Sequence, residues 1–240
     1  MSSAKASAYS LEERLRATLE SRAQRHMLRT LEPNRAIVDA DPPLVDFSSN
    51  DYLSLGSSNK LKNNLVKHLE ALTTSPYGPP SSRLLDGNSC HHLALESQLA
   101  SFFRAESGLL FNSGYDANVG TWSCLPAPND WILYDSLIHA SVHDGMRASR
   151  VDKRKRLAFA HNSIDELKGR LYDIRKSDQD VRDGRAAVWV AIETLYSMDG
   201  DLAPVKEMLQ VIEQTLPQGN GHMVVDEVCD AFDRKKQPLS

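Results

Sequence analysis

The chain has 240 residues, 41% hydrophobic and 25% charged, enough for one sizeable core or one core with part of a second. Its 28 basic and 32 acidic side chains leave a formal charge of −4, which offers no general attraction to nucleic acid or anionic membrane and favours small-molecule or protein partners. Cys90, Cys124 and Cys229 lack CxxC spacing, so neither a disulfide framework nor a metal site is expected; no run approaches the roughly 18 apolar residues of a membrane span, and Met1 to Leu31 has no apolar signal core. These features predict an intracellular, cytoplasmic protein without a membrane span or nucleic-acid partner.

Leu11, Leu15, Leu19 and Leu28 are spaced among Arg and Glu as on one amphipathic helix lying on a larger body. Glu12, Glu13 and Glu20 argue against a mitochondrial presequence. Residues 1–44 thus read as an N-terminal helical arm and connection. From Val45 onward, short apolar runs alternate with longer amphipathic stretches, the signal of an α/β fold with a mainly parallel sheet flanked by helices. Strands are predicted at Gly108–Phe111, Trp131–Tyr134, Leu157–Ala160, Ala187–Ile192 and His222–Val225, each apolar throughout as expected for burial on both faces. Helices are predicted at Leu93–Phe103, at Asp116–Trp122, from a Ser163/Glu166 capping box through Leu171, and from Val205 to Gln214 behind Pro204. Arg175–Arg185 and the basic run Asp152–Arg156 read as surface connections.

In open parallel sheets ligands bind beyond the carboxyl ends of the strands, so the residues following each apolar run are the candidates for chemistry. Asn112-Ser113-Gly114-Tyr115 precedes a helix, where open backbone N–H groups suit an anion such as phosphate, or the Ser-Gly pair is simply a turn. In Asp135 through Ser141, the imidazole of His139 can stack on a flat ring, shuttle protons, or only cap and pack. Glu193 is followed by Ser197 through Asp201, a turn without the later ligands of a calcium loop. Asp226 and Glu227 end the last apolar run, where a carboxylate can hold a protonated ring nitrogen or cap a helix.

Taken together and in order, Asp46–Gly56, Ser81–Asn88 with His92 and Leu95-Glu96, Leu110–Tyr115, Asp135–Ser141, Phe159–Asn162, Glu193–Asp201 and Val224–Glu227 resemble the α-oxoamine synthases. These are pyridoxal-phosphate (PLP) enzymes of fold type I within aminotransferase class I/II, and the resemblance is to their biotin-pathway branch. It implies PLP as cofactor, with Gly114 and Tyr115 at its phosphate, His139 stacked on the pyridine ring, Ser197 at the phenolic side and Asp226 paired with the pyridinium nitrogen. It further implies that Asn50 faces the substrate, that Ser82, Arg83 and Gly87 through Ser89 shape the substrate site, and that Arg22, Arg25 or Arg29 holds the acyl group. The implied reaction is decarboxylative condensation of an amino acid with an acyl-CoA by a homodimer. Aminolevulinate, aminoketobutyrate and sphingoid-base activities are related alternatives, as is a non-catalytic fragment that pairs with a full-length subunit.

On this resemblance residues 45–227 are a partial PLP-binding large domain, and the family pattern stops after Glu227. Cys229 stands where the family has a second His, and residues 228–240 read as a non-family tail. Neither Lys235 nor Lys236 resembles the Schiff-base lysine, so the expectation is a C-terminally truncated chain that is inactive alone. An unfinished sheet leaves backbone edges unpaired and apolar helix faces uncovered, which favours association.

Overall fold

β1 (Trp131–Asp135), β2 (Arg156–Phe159), β3 (Val188–Glu193) and β4 (Gly221–Asp226) form one parallel sheet in the order β2-β1-β3-β4. Four of the five apolar runs therefore become strands, within a residue or two of the predicted bounds. The register sets Asp135 beside Phe159 and Glu193 beside Asp226, so the strands end on one common edge. Because β2 lies on one side of β1 and β3 on the other, the crevice between the ends of β1 and β3 is the topological switch point, where such sheets bind ligands.

The computed structural model describes residues 10–30, 45, 47, 49–72 and 78–228. They fall into two units that divide after Pro80. The first holds α1 (Leu11–Gln24) and α2 (Asn59–Ala71), capped by Ser10 and Ser58, whose hydroxyls accept the N–H groups of Glu13 and Leu61. The predicted N-terminal helix is present, but none of its residues is buried.

The second unit carries the sheet with helices on both faces. α3 (Cys90–Phe103) and α4 (Gly114–Cys124) precede the sheet, and α5 (Ala140–Ala148) follows β1. α6 (Ile164–Ser177) and the single turn α7 (Gln179–Arg182) connect β2 to β3, and α8 (Val205–Thr215) connects β3 to β4. Strand alternation sorts the side chains between two cores. Leu133, Val188, Val190 and Ile192 pack with Leu167, Leu171, Met208 and Ile212 from α6 and α8, whereas Ile132 and Ala191 face Trp122, Val142 and Met146 from α4 and α5. Leu167 and Leu171 are fully buried, and truncating either to alanine should cost about 2–5 kcal/mol.

Three expectations are corrected. Gly108–Phe111 forms no strand: no described segment pairs with it, and the Leu110 N–H donates to the Glu96 carboxylate at 2.8 Å instead of to a ladder. Arg175–Arg185 is partly helical, because α6 runs to Ser177 and Asp178 then caps α7 by accepting the Asp180 and Val181 N–H groups. The capping box is half formed: the Ser163 hydroxyl accepts the Glu166 N–H, but the Glu166 carboxylate takes the Ala160 N–H at 2.8 Å. Asp152–Arg156 is a short 3-10 turn running into β2.

Candidate active site

The site grows from the start of α4. Ser113 caps this helix by accepting the Asp116 N–H at 3.0 Å, which leaves the Gly114 and Tyr115 N–H groups ahead of the first intrahelical bond and open to an anion. Gly114 allows the chain leaving β4 to pass close by, since a Cβ there would lie 2.5 Å from Val228 Cγ2. The Tyr115 hydroxyl donates to the Asp144 carboxylate on α5.

One turn into α4, the side-chain amide of Asn118 donates to Asp226 Oδ2 at 2.7 Å and to Ser141 Oγ at 2.9 Å. The other Asp226 oxygen accepts the Val228 N–H at 3.0 Å, so both carboxylate oxygens are oriented by donors. The Ser141 hydroxyl lies 2.7 Å from His139 Nδ1, which also accepts the Ser141 N–H at 3.2 Å. An accepting Nδ1 leaves Nε2 as the ring nitrogen that carries the proton in the neutral imidazole. His139 caps α5, and its ring stands edge-on to Tyr115 with centroids 6.3 Å apart.

Glu193 ties the remaining residue to this group. Glu193, only 6% exposed, lies near the backbone N–H groups of His139 and Ser197, which pull its pKa down. Burial, then the neighbouring Asp226 charge, pushes Glu193 up to about 7, against the pull of those two N–H groups. Gly114, Tyr115, His139 and Asp226 are thus brought together at one end of the sheet, with Ser197 in the connection that follows Glu193.

The substrate candidates fall in both units. Arg83 grips Glu96 with both guanidinium arms, at 2.6 and 2.9 Å, and donates from Nε to Asn88 at 3.0 Å. Arg83, followed by the Leu110 N–H, holds the Glu96 carboxyl down at about 2. The Ser82 carbonyl accepts the Leu85 and Gly87 N–H groups at 3.0 Å, and the turn closes so tightly that a Cβ at Gly87 would sit 1.8 Å from the Ser81 carbonyl oxygen. Arg83 therefore acts in this structure as a brace between the turn and α3. Asn50 belongs to the first unit, where its Oδ1 accepts the Tyr52 hydroxyl at 3.4 Å, and Arg22, Arg25 and Arg29 are exposed in the same unit. Cys229, Lys235 and Lys236 lie outside the described residues.

Asn118 and Asp144 escaped the sequence reading. Asn118 stands four residues after Gly114 and so shares its helix face, a spacing that could have revealed it. Among the described residues no group of three His, Cys, Asp or Glu could hold a metal ion, and no helix is long and apolar enough to cross a membrane.

An anion-ready helix start beside an oriented carboxylate at the carboxyl ends of a parallel sheet defines a cofactor-binding α/β domain. The chain belongs to the aminotransferase class I and II family, whose model matches residues 42–237. It is 50% identical over 184 residues to the 8-amino-7-oxononanoate synthase of Emericella nidulans, covering 76% of this chain and 44% of that one. It is 36% identical to an aminoacyl transferase, sphA, of Byssochlamys spectabilis, covering 78% and 39% respectively. The chain therefore spans less than half the length of these relatives. Its fold matches a serine palmitoyltransferase of Sphingomonas wittichii with a TM-score of 0.68 at 23% identity, over 90% of this chain and 52% of that one. This is the fold of the PLP enzymes of fold type I.

Proposed function

We propose that the intact protein is a PLP-dependent α-oxoamine synthase of the 8-amino-7-oxononanoate type, a homodimer with residues 45–227 as its cofactor-holding part. The observation that carries this reading is the oriented Asp226 carboxylate, tied by Asn118 to the helix whose first N–H groups are open. The 50% identity to a protein of that name supports it. Phe102, Leu109 and Leu84, at 68%, 67% and 98% exposure, are apolar surface that a second subunit or further sequence would cover.

The residues present fit PLP: N–H groups for a phosphate, an imidazole for a flat ring and a carboxylate for a cationic nitrogen. When bound, PLP supplies an electrophilic aldehyde and a protonated ring that takes up the electrons of a carbanion. Asp226 would hold the proton on the ring nitrogen, its carboxylate charge favouring the protonated ring. Gly114 and Tyr115 receive the phosphate at the α4 N-terminus, where the helix dipole adds to the N–H groups. His139 would orient the ring, and Ser197 would meet the phenolic side. None of the seven matched segments contains a lysine, so on this reading the chain holds cofactor without turning over.

The test is to incubate the complete gene product with PLP, an amino acid and acyl-CoA thioesters of different lengths, including pimeloyl-CoA, and to follow carbon dioxide release. Turnover with pimeloyl-CoA is expected, and failure with every thioester would remove the whole reaction class.

A further inference from the structure

Phe159–Asn162 is a matched segment to which the cofactor reading gives no task. After β2 the chain turns through His161 and Asn162, the latter in the left-handed region at φ 53°. The His161 ring lies between two carboxylates from different elements. Its Nδ1 is 2.9 Å from Asp135 Oδ1 at the end of β1, and its Nε2 is 2.7 Å from Asp201 Oδ2 in the connection between β3 and α8. Asn162 repeats the bridge, giving its N–H to Asp135 at 2.8 Å and its side-chain amide to Asp201 at 2.7 Å.

At its start that connection is held to the end of β4, where the Thr194 N–H donates to the Asp226 carbonyl at 3.0 Å and the Thr194 hydroxyl to Glu227 at 3.4 Å. It closes on itself through the Tyr196 N–H to the Asp201 carbonyl, the Gly200 N–H to the Tyr196 carbonyl and a bridge between Leu195 and Leu202. Ser197 lies inside this closed turn, next to Met198, which is 91% exposed. Beyond Thr194, the turn is fixed by Asp201 on His161 and Asn162, by the Tyr196 hydroxyl, which accepts the Glu193 N–H at 3.3 Å, and by the buried Tyr196 ring, edge-on to His161 with centroids 4.4 Å apart.

A neutral imidazole donates from one nitrogen only, yet both nitrogens face carboxylate oxygens; the Asn162 amide nitrogen, 3.2 Å from Nε2, lies closer to Asp201, to which it donates at 2.7 Å. The imidazolium satisfies both. Both Asp135 oxygens already act as acceptors, one for the Leu137 N–H and the other for the Asn162 N–H, and Tyr196 brings an uncharged ring. Burial works against the charge on His161, but the two carboxylates outweigh it and leave its pKa raised.

We propose that His161 is a positioning residue: its imidazolium clasps residues 194–203 to the end of β1 and thereby sets Ser197 against the His139 side of the site. The benefit to cofactor placement rests on the function proposed above, whereas the clasp stands without it.

Hydrogen–deuterium exchange on the 240-residue chain, corrected for intrinsic rates, tests this at about pH 6 and about pH 8.5 in wild type, His161→Gln and Asp201→Asn. Losing a charge-assisted hydrogen bond should speed exchange in 194–203 about tenfold in both variants. Wild type should show the same rise at the higher pH and His161→Gln should not, while β1 and β3 stay protected. Unchanged exchange in 194–203 in Asp201→Asn, which keeps the side-chain shape, would overturn the proposal. So would a rise spread evenly over the sheet in both variants. PLP binding by wild type is measured in parallel: failure to bind counts against the cofactor reading alone, because the exchange result does not need cofactor.

Discussion

Glu193 and Asp226 are register partners at the ends of β3 and β4, so two carboxyl groups stand side by side where only one is easily ionised. Burial and the Asp226 charge raise Glu193 to about 7, and the folded state therefore keeps a proton that the unfolded chain has released. The sign follows: this contribution is complete below the ordinary carboxylate range, shrinks as pH rises toward about 7, and is flat above it. Between about pH 5 and 8, wild type should lose up to roughly 3 kcal/mol relative to Glu193→Gln. Urea denaturation of both proteins across that range checks it; curves that run parallel would contradict the shift.

Asn118→Ala removes the amide that orients Asp226. Loss of a hydrogen bond to a charged group is worth about 1.5–3 kcal/mol, so PLP affinity should fall at least about tenfold. Calorimetric titration measures this, and an unchanged dissociation constant would remove Asn118 from the site.

Gly145 lets α5 lie against α4. A Cβ there would come within 2.8 Å of Trp122 Cβ and 2.9 Å of the Asn118 carbonyl oxygen. Gly145→Ala should cost about 1–3 kcal/mol through overpacking and move the helix that carries Asn118. A lower melting temperature together with weaker PLP binding is expected, whereas wild-type values for both would show that the helices separate freely.

Arg83 and Glu96 make a fork that lysine cannot reproduce. Because Arg83 and the Leu110 N–H hold Glu96 down at about 2, this contribution is present above the ordinary carboxylate range and disappears as pH falls toward about 2. Arg83→Lys should release the segment from α3 to α4, read as earlier cleavage within residues 104–113 in limited proteolysis at neutral pH. A cleavage pattern identical to wild type would show that the fork is dispensable.

The sheet was legible because buried parallel strands are written as continuous apolar runs, as in Val188–Ile192. Gly108–Phe111 is also a short run without polar side chains and is not a strand, because pairing depends on a neighbour that a local run does not specify. The polar residues after Tyr134, Ile192 and Val225 could be read as neighbours because strand ends share an edge, whereas those after Phe111 join them through Asn118 of α4. Asn118 was not, since a helical asparagine has no local mark and gains its meaning from Ser141 and Asp226, distant in sequence. The His161 clasp was visible only as an unexplained match, for its partners come from two other connections.

The most direct measurement is titration of the 240-residue chain with PLP, followed by calorimetry or protein fluorescence, in wild type and Asp226→Ala. Saturable binding, weakened on the order of 10- to 100-fold by the substitution, is the predicted result. Equal affinity in the two proteins, or no binding to a folded wild type, would contradict the assignment of these strand ends to a PLP site.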